Sequence, residues 1–501
     1  MWVSLPETGT AAQRTGHDGL DVEPFGVVVS RARLVCVLLT ATALAACTTP
    51  TRQPDTSSSP TPGTRGAAGV GDPYYPDDGN GGYDVTGYDV AIKYDPATQR
   101  LDGDTTVTAT AAEALSQFNL DLTGMDVSSV EVDGTPAKFA RTGAHELVIT
   151  PAATITHGGT FRTRVTYAGT PQSTKDPVLG VNGWQKATSG GAYVAGEPHS
   201  ASDWFPVNDH PSDKATFRLT AAVPDGWSVI SNGREEPPHS EAGWTTFTWV
   251  ESTRIAPYLT TVGIDHWTFE RSTYNGIPLV SAYAPGAEDK KTIEARLPEV
   301  LDFLSAEFGP YPQDAAGGIF INEDIGFSLE TQTRPIYAKW TTLDVIVHEQ
   351  AHQWFGDTVS LNRWSDVCLN ECFASYAEVL WAEAKNHTNI DDVYRKAVTK
   401  ADDKFWNRKL VDMGPGNEFT AVYDKGQLAL HALRHELGDD KFHTLLTTWI
   451  ATHHDTTATW SDFETLVNTT AGHPITPFLN AWFHQASKPA DQFLYPGTLH
   501  K

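Results

Sequence analysis

Two histidines and a glutamate in the middle of the chain have the types and spacing of a metal-dependent hydrolytic site. His348 and His352 stand four residues apart in His-Glu-Gln-Ala-His, so on a helix both imidazoles project from one face. Ring nitrogens placed in this way can share one zinc ion, and Glu349 follows the first ligand, where a carboxylate can act as a general base. A helix that carries two unrelated histidines is the alternative, because the five-residue motif is a modest signal.

A catalytic zinc site needs a third protein ligand, with the fourth position left to water. Glu371 is the candidate, since it lies in a second helix-like segment and eighteen residues separate it from His352. Apolar residues on both sides of the first motif predict a buried helix that ends at Gly356 and Asp357. The two segments must therefore pack as neighbouring helices if the three side chains are to meet.

The two segments together resemble the aminopeptidase N family of gluzincin zinc metallopeptidases. The resemblance rests on the histidine motif and on Asn370–Tyr376, which reads Asn-Glu-Cys-Phe-Ala-Ser-Tyr, and it extends over roughly residues 83–501. It implies one Zn²⁺ per chain, held by His348, His352 and Glu371. It also implies that peptides with a free N-terminus are the substrates and that a thermolysin-like domain carries the site.

Three further residues gain roles only through this resemblance. Tyr423 stands in a segment similar to the family's Tyr-x-Lys-Gly, whose hydroxyl reaches the reacting carbonyl. Glu197 precedes a segment that resembles the family's F-P-x-x-D-x-P, and Glu330 holds the acidic position of a segment similar to G-x-M-E-N. Both carboxylates are then expected to bind the α-ammonium group of the substrate. By composition alone, Tyr423 is a half-buried aromatic residue and Glu197 an ordinary loop carboxylate.

The segment around Glu330 departs from the family pattern. Phe327 replaces its glycine, Leu329 its methionine and Thr331 its asparagine. These departures leave open a zinc endopeptidase, or another hydrolase of the same fold. A catalytically dead, lipid-anchored binding protein is a second alternative, and the retained ligands and Glu349 argue against it.

The composition limits the classes of partner. The chain has 501 residues, of which 40% are hydrophobic and 20% charged, which is enough for two or three domains with their own cores. Its formal charge of -26 and pI near 5.0 argue against nucleic acid and against anionic membrane surfaces as partners. Four cysteines are too few for a disulfide scaffold, and Cys368 and Cys372 are expected to be free buried thiols, with a strained local disulfide as the alternative.

Hydrophobic periodicity predicts an α+β protein. Apolar residues alternate from Tyr83 onward, which favours an antiparallel β-sandwich or saddle-shaped domain over residues 83–272. A mostly α-helical catalytic domain is expected over residues 273–501, and its first helix, Glu288–Phe308, should be kinked or split by Pro298. His431 and His435 also stand four apart, but no acidic residue follows the first, so packing or surface roles are expected.

The N-terminus resembles a bacterial lipoprotein signal. Residues 27–46 contain two arginines and then an apolar segment too short to span a bilayer, which ends in small residues before Cys47. Cys47 is the expected lipidation site, with a plain secretory signal as the alternative. Residues 47–82 are expected to form a flexible tether, and residues 1–26 are interpreted as a mis-assigned upstream extension. The protein is thus expected outside the cytoplasm, held to the bacterial cell membrane only by a lipid.

Overall fold

The computed structural model describes residues 63–176 and 179–501. The predictions for the upstream extension, the signal peptide and Cys47 lie outside the described residues, as does the first part of the predicted tether. Across the described ranges, no helix combines the length and the apolarity that crossing a bilayer requires.

The N-terminal part of the described chain is built from β-sheets. The strands are β1 (Thr64–Arg65), β2 (Tyr83–Asp95), β3 (Arg100–Ala111), β4 (Leu115–Asp121), β5 (Asp126–Val132), β6 (Thr135–Pro136), β7 (Lys138–Thr142), β8 (Glu146–Thr150), β9 (Thr160–Gly169), β10 (Ser173–Asp176), β11 (Gly180–Lys186), β12 (Ala192–Ala195), β13 (Ala215–Pro224), β14 (Ser228–Ser231), β15 (Arg234–Glu241), β16 (Trp244–Ile255) and β17 (Val262–Asp265). An eight-stranded sheet has the order β15-β16-β13-β2-β3-β9-β5-β6, a five-stranded sheet β10-β11-β12-β17-β14 and a four-stranded sheet β1-β4-β8-β7. Most neighbours are antiparallel, and β13 runs parallel to β2.

The alternation in the sequence matches the burial of the long strands. On β2, the residues Tyr88, Val90, Ile92 and Tyr94 are all buried, while the positions between them are more exposed. One face of the eight-stranded sheet therefore packs into the core and the other is more accessible, as a period of two requires. This confirms the predicted β-rich domain.

Residues 63–82 are not a flexible tether, so that prediction is wrong for the described part of residues 47–82. Asp72 is buried, and its carboxylate accepts a hydrogen bond from the Trp364 backbone N–H at 2.9 Å. The Tyr74 hydroxyl donates to Asp412 at 3.1 Å, so this segment reaches the helical part of the protein. Polar composition suggested a segment with little to bury, but these residues pair with partners far along the chain.

The C-terminal part combines a small sheet with helices. Its four-stranded sheet is formed by β18 (Thr268–Tyr274), β19 (Ile277–Tyr283), β20 (Ile319–Phe320) and β21 (Ile336–Tyr337), and two short strands pair elsewhere as β22 (Val359–Leu361) and β23 (Thr456–Ala458). The α-helices are α1 (Lys291–Glu294), α2 (Leu297–Phe308), α3 (Leu343–Ala351), α4 (Cys368–Asn386), α5 (Ile390–Lys400), α6 (Asp403–Trp406), α7 (Asp424–Leu437), α8 (Asp439–His453), α9 (Trp460–Ala471), α10 (Thr476–Leu479) and α11 (Asp491–Leu494). A π-helical turn follows α10 at Asn480–His484, and 3-10 turns lie at Ala201–Asp203, Pro257–Leu259, Glu288–Lys290 and Trp364–Asp366.

Two predicted boundaries move. The change of sheet falls between β17 and β18, a few residues before the predicted division at 272/273. The predicted helix Glu288–Phe308 is split as expected, but the break precedes Pro298, which lies in the first turn of α2. Proline is tolerated there because the first backbone N–H groups of a helix have no intrahelical acceptor.

Candidate active site

Helix α3 places both histidines of the motif in the interior. His348 and His352 are 3% and 1% exposed, and their Nε2 atoms lie 3.2 Å apart. The apolar residues before them, Val345, Ile346 and Val347, are buried and fix the helix against the core. The spacing of four residues has therefore produced the shared face that the sequence predicted.

Helix α4 brings Glu371 to the same point. Its buried Oε2 atom lies 3.4 Å from His348 Nε2 and 3.6 Å from His352 Nε2. A tetrahedral ion with bonds of about 2.0–2.1 Å has ligand–ligand edges of about 3.3 Å, so these three atoms already have the separations of a zinc site. Among the residues that the structure describes, no group donates a hydrogen bond to this oxygen. The residues present fit a zinc ion.

The charge around the two imidazoles also favours a cation. Burial lowers the pKa of His348, but the carboxylates of Glu371 and Glu378 outweigh it and raise that pKa well above its usual value. Burial likewise lowers the pKa of His352, and the nearby carboxylates of Glu330 and Glu371 outweigh it and raise that pKa to about 9. Without a metal, protons on the two imidazoles thus balance the negative charge of the surrounding carboxylates. A bound dication would neutralise that charge in place of the protons.

Glu349 lies beside the ligands without being one of the three. One of its carboxylate oxygens and one ring nitrogen of each histidine lie within 4.8 Å of one another, and the residue is 5% exposed. Burial raises the pKa of the Glu349 carboxyl to about 8, with the two imidazoles acting in the opposite sense. A carboxylate in this position can accept a proton from a water next to the ligand cluster.

The far sides of both imidazoles are fixed by acceptors. His348 Nδ1 lies 2.8 Å from Glu378 Oε1, and His352 Nδ1 lies 3.0 Å from the backbone carbonyl of Phe355. An Nδ1–H that donates to these oxygens leaves each Nε2 lone pair directed toward Glu371. The structure thus places Glu378 behind His348, where its carboxylate supports the first ligand.

Glu330 is held at the edge of this cluster. Its carboxylate, a His352 ring nitrogen and a Glu371 oxygen lie within 4.8 Å of one another, and Tyr258 donates its hydroxyl to Glu330 Oε1 at 3.0 Å. The Gln353 side chain donates to the Glu330 carbonyl at 3.2 Å, so the residue after the motif also positions this segment. Burial raises the pKa of the Glu330 carboxyl.

The segment that carries Glu330 lies at one edge of the four-stranded sheet. Leu329 and Ile336 exchange backbone hydrogen bonds at 2.9 and 2.8 Å, so the segment turns back along the last strand of the four-stranded sheet. The β-rich part holds the turn from the other side, where Asn232 donates to the Gln332 carbonyl at 2.7 Å. Phe327, Leu329 and Thr331, the positions that depart from the family pattern, are all buried in this segment.

Glu197 and Tyr423 also reach this region. Glu197 is 3% exposed, and its charge acts on the hydroxyls of both Tyr258 and Tyr423. The Tyr423 ring centroid lies 6.2 Å from that of His348. The charges of Glu371 and Glu330 help to raise the pKa of the Tyr423 hydroxyl. Burial is the larger cause of that shift, so the hydroxyl stays protonated and can donate a hydrogen bond. The structure brings the two residues to the cluster, and their roles stay predictions.

Two features of the site differ from what the sequence predicts or were missed. Cys368 and Cys372 are joined by a disulfide, so the expected free thiols are wrong. One helical turn separates them on α4, which brings both sulfurs to one face.

The sequence did not identify Tyr258 as a residue of the site, because it follows a strand with no motif around it. Its hydroxyl also receives a hydrogen bond from Asn370, the residue before the third ligand, at 3.3 Å.

Comparisons with known sequences agree with this geometry. The sequence profile described as the Peptidase family M1 domain matches residues 316–482, and the profile described as the Peptidase M1 N-terminal domain matches residues 85–259. A probable aminopeptidase 2 of Sulfurisphaera tokodaii is 25% identical over 58% of this chain and 40% of its own length. A glutamyl aminopeptidase of Mus musculus is 25% identical over 58% of this chain and 34% of its own length. The chain thus spans less than two thirds of these curated relatives.

Solved structures match over a larger share. A crystal structure of a mutant M1 zinc metallopeptidase from Deinococcus radiodurans is 30% identical, with a TM-score of 0.77, and the match covers 84% of this chain and 99% of that chain. The mutant bound to a Tyr-Ser-Ala substrate is 31% identical, with a TM-score of 0.78 over the same shares of the two chains. A two-domain mutant bound to L-arginine is 31% identical, with a TM-score of 0.75, over 81% of this chain and 94% of that chain.

Proposed function

The chain belongs to peptidase family M1, the zinc metallopeptidases, and from this premise we propose that it is an aminopeptidase that removes single residues from the N-termini of peptides. The proposal rests on one observation above all: a buried carboxylate that is not one of the three ligands, Glu330, lies within 4.8 Å of the ligand atoms of His352 and Glu371. An ammonium group bound there would place the first peptide bond, and no later one, next to the ligand cluster.

Each residue of the site has a separate role in hydrolysis. His348, His352 and Glu371 hold the zinc ion, which when bound supplies Lewis-acid chemistry that acidifies a water and polarises a carbonyl. Glu349 accepts the proton of the attacking water and passes it to the leaving amine, a contribution of about 10²–10⁴ in rate. Tyr423 keeps its proton and donates a hydrogen bond to the oxyanion that develops on the carbonyl.

Substrate binding depends on charge. A peptide's free α-ammonium group carries the charge that a buried carboxylate needs as a partner, and Glu330 and Glu197 both supply negative charge at this end of the site. The edge at Leu329 offers backbone groups to which an extended peptide can add. Binding at two points, the ammonium group and the backbone, fixes which bond is cleaved.

A panel of substrates tests this proposal. Aminoacyl fluorogenic amides with a free amine should be hydrolysed, their N-acetylated counterparts should not, and a zinc chelator should abolish the activity. Equal hydrolysis of free and acetylated substrates would instead support an endopeptidase, the reading that the altered residues Phe327, Leu329 and Thr331 favour. No hydrolysis of any member, with zinc bound at the site, would support a binding protein without activity.

We also propose that the mature protein is held outside the cytoplasm of a bacterium by a lipid on Cys47. The support is the sequence pattern before this residue, and the formal charge of -26 gives no reason to expect direct binding to an anionic surface. Mass spectrometry of the mature N-terminus should find a lipidated cysteine. The Cys47→Ala protein should move from the membrane fraction to the soluble fraction, and unchanged membrane association would refute the anchor.

A further inference from the structure

A second cluster of metal-ligating side chains lies on helices α5 and α7. His431 and His435 stand one turn apart on α7, and Asp391 lies in the first turn of α5. Asp391 Oδ1 is 3.1 Å from His431 Nε2 and 3.0 Å from His435 Nε2. Both imidazoles thus direct the same ring nitrogen at one carboxylate oxygen from a distant part of the sequence.

This arrangement repeats the geometry of the catalytic cluster. The ring centroids of His431 and His435 are 4.8 Å apart with 72° between the planes, and those of His348 and His352 are 4.9 Å apart with 69°. In both clusters the pair is spaced by four residues on one helix, and a carboxylate from another helix faces the two nitrogens. The resemblance is one of geometry, because no general base adjoins the second pair.

The Nδ1 atoms of His431 and His435 both have hydrogen-bond partners, as the second ring nitrogen of a metal-binding histidine usually does. The Nδ1 atom of His431 lies 3.1 Å from the Tyr376 hydroxyl, and that of His435 lies 2.9 Å from the Thr498 hydroxyl. A hydroxyl can donate or accept, so each can receive an Nδ1–H once the Nε2 lone pair is turned to a metal.

The second oxygen of the Asp391 carboxylate has a partner of its own. Asp391 Oδ2 faces the Arg395 guanidinium at 3.4 Å, which leaves Oδ1 for the two histidines.

We propose that Asp391, His431 and His435 form a second binding site for a zinc ion, distinct from the catalytic one. Two imidazoles and one carboxylate are a set that zinc takes with tetrahedral geometry, and water can complete it because the Asp391 side chain is 33% exposed. The nitrogen–oxygen separations of 3.1 and 3.0 Å are about 0.2–0.3 Å shorter than a tetrahedral edge, so the carboxylate must move outward slightly. This movement and the nearby guanidinium make the site weaker than the catalytic one.

Binding at this site would join elements that are far apart in sequence. The three ligands link α5 to α7, Tyr376 adds α4, and Thr498 adds the C-terminal segment. Zinc bound to the folded state alone raises stability by mass action. The expected consequence is a stabilised C-terminal layer, with no direct part in hydrolysis, so the proposal does not depend on the proposed function.

Equilibrium dialysis of the full chain against buffered zinc, followed by elemental analysis, tests the proposal. The wild-type protein should bind a second equivalent at higher free zinc than the first, and its unfolding temperature should rise again as that equivalent binds. The His435→Ala and Asp391→Asn proteins should bind one equivalent and lose the second rise. His473→Ala removes an exposed histidine outside the cluster and should behave as wild type.

Two outcomes would overturn the proposal. One is a wild-type protein that binds a single equivalent even at high free zinc, in which case the cluster is a hydrogen-bond network only. The other is a second equivalent that persists in both variants, which would place it elsewhere. Cobalt added to the wild-type zinc protein gives a check that needs no variant, because a cobalt ion in a tetrahedral site has intense visible absorption that an octahedral aqua ion lacks.

Discussion

Replacement of Glu378 tests whether the support behind the first zinc ligand sets metal affinity. Glu378 Oε1 lies 2.8 Å from His348 Nδ1, and the two side chains are 16% and 4% exposed. A hydrogen bond to a charged group contributes about 1.5–3 kcal/mol, and loss of such a partner behind a metal ligand commonly weakens binding about 10–100-fold. Because the Glu378 side chain retains some contact with water, we expect the lower part of this range.

The Glu378→Ala protein should therefore bind zinc about 10- to 30-fold more weakly than wild type, at about 1.4 kcal/mol per tenfold change. The Glu378→Gln protein should lose less, because the amide oxygen can still accept the Nδ1–H of His348. Competition with a chromophoric chelator measures both dissociation constants. At saturating zinc, both variants should recover most of their activity, since neither touches the substrate.

A matched control lies on the same helix. Glu383 is exposed enough to pair with Arg434 at the surface, at 2.6 Å, and Glu383→Gln should leave the zinc dissociation constant unchanged. If Glu378→Ala binds zinc within about twofold of wild type, the hydrogen bond to His348 does not orient the ligand and the reasoning is wrong. If Glu383→Gln weakens zinc binding as much, the effect belongs to helix α4 as a whole.

Three further substitutions test the roles assigned to the site. Glu349→Gln should retain zinc, as elemental analysis can show, yet lose about 10²–10⁴ in turnover, and wild-type turnover would rule out Glu349 as the base. Tyr423→Phe should lower kcat about 10²–10³-fold at unchanged zinc content, whereas a change confined to KM would contradict oxyanion stabilisation. Tyr258→Phe removes the hydroxyl that holds Glu330 and should raise KM for free-amine substrates about tenfold. An unchanged KM, or a loss confined to kcat, would show that the Tyr258 hydroxyl does not position Glu330 for the ammonium group.

The N-terminal strands show which features a local sequence pattern can predict. Alternation on β2 correctly predicted which side chains are buried, because successive side chains of a strand point to opposite faces whatever the rest of the fold does. The prediction for residues 63–82 rested on composition, which suggested a segment with little to bury, and it was wrong. Asp72 is buried there with partners far along the chain, His210 and the backbone N–H of Trp364, which the composition of the segment does not reveal.

The cysteines and the second histidine pair also show that local spacing does not decide which side chains finally meet. Spacing allowed both a disulfide and free thiols at Cys368 and Cys372, and only the three-dimensional structure shows that the two sulfurs are joined. Spacing likewise placed His431 and His435 on one face, and nothing local indicated that Asp391 would meet them.

The sequence by itself determined which residue types are available for the chemistry: two imidazoles one helical turn apart, an adjacent carboxylate and an acidic third ligand in a following helix. The shared face of the two imidazoles is local, since the backbone period alone decides which side chains share a face. Their meeting with Glu371 depends on how α3 and α4 pack. The tertiary structure decided what surrounds them, including the contact of Glu378 with His348 and the hold of Tyr258 on Glu330. Such contacts join residues far apart in the chain, so they depend on how whole elements pack rather than on any pattern within one element.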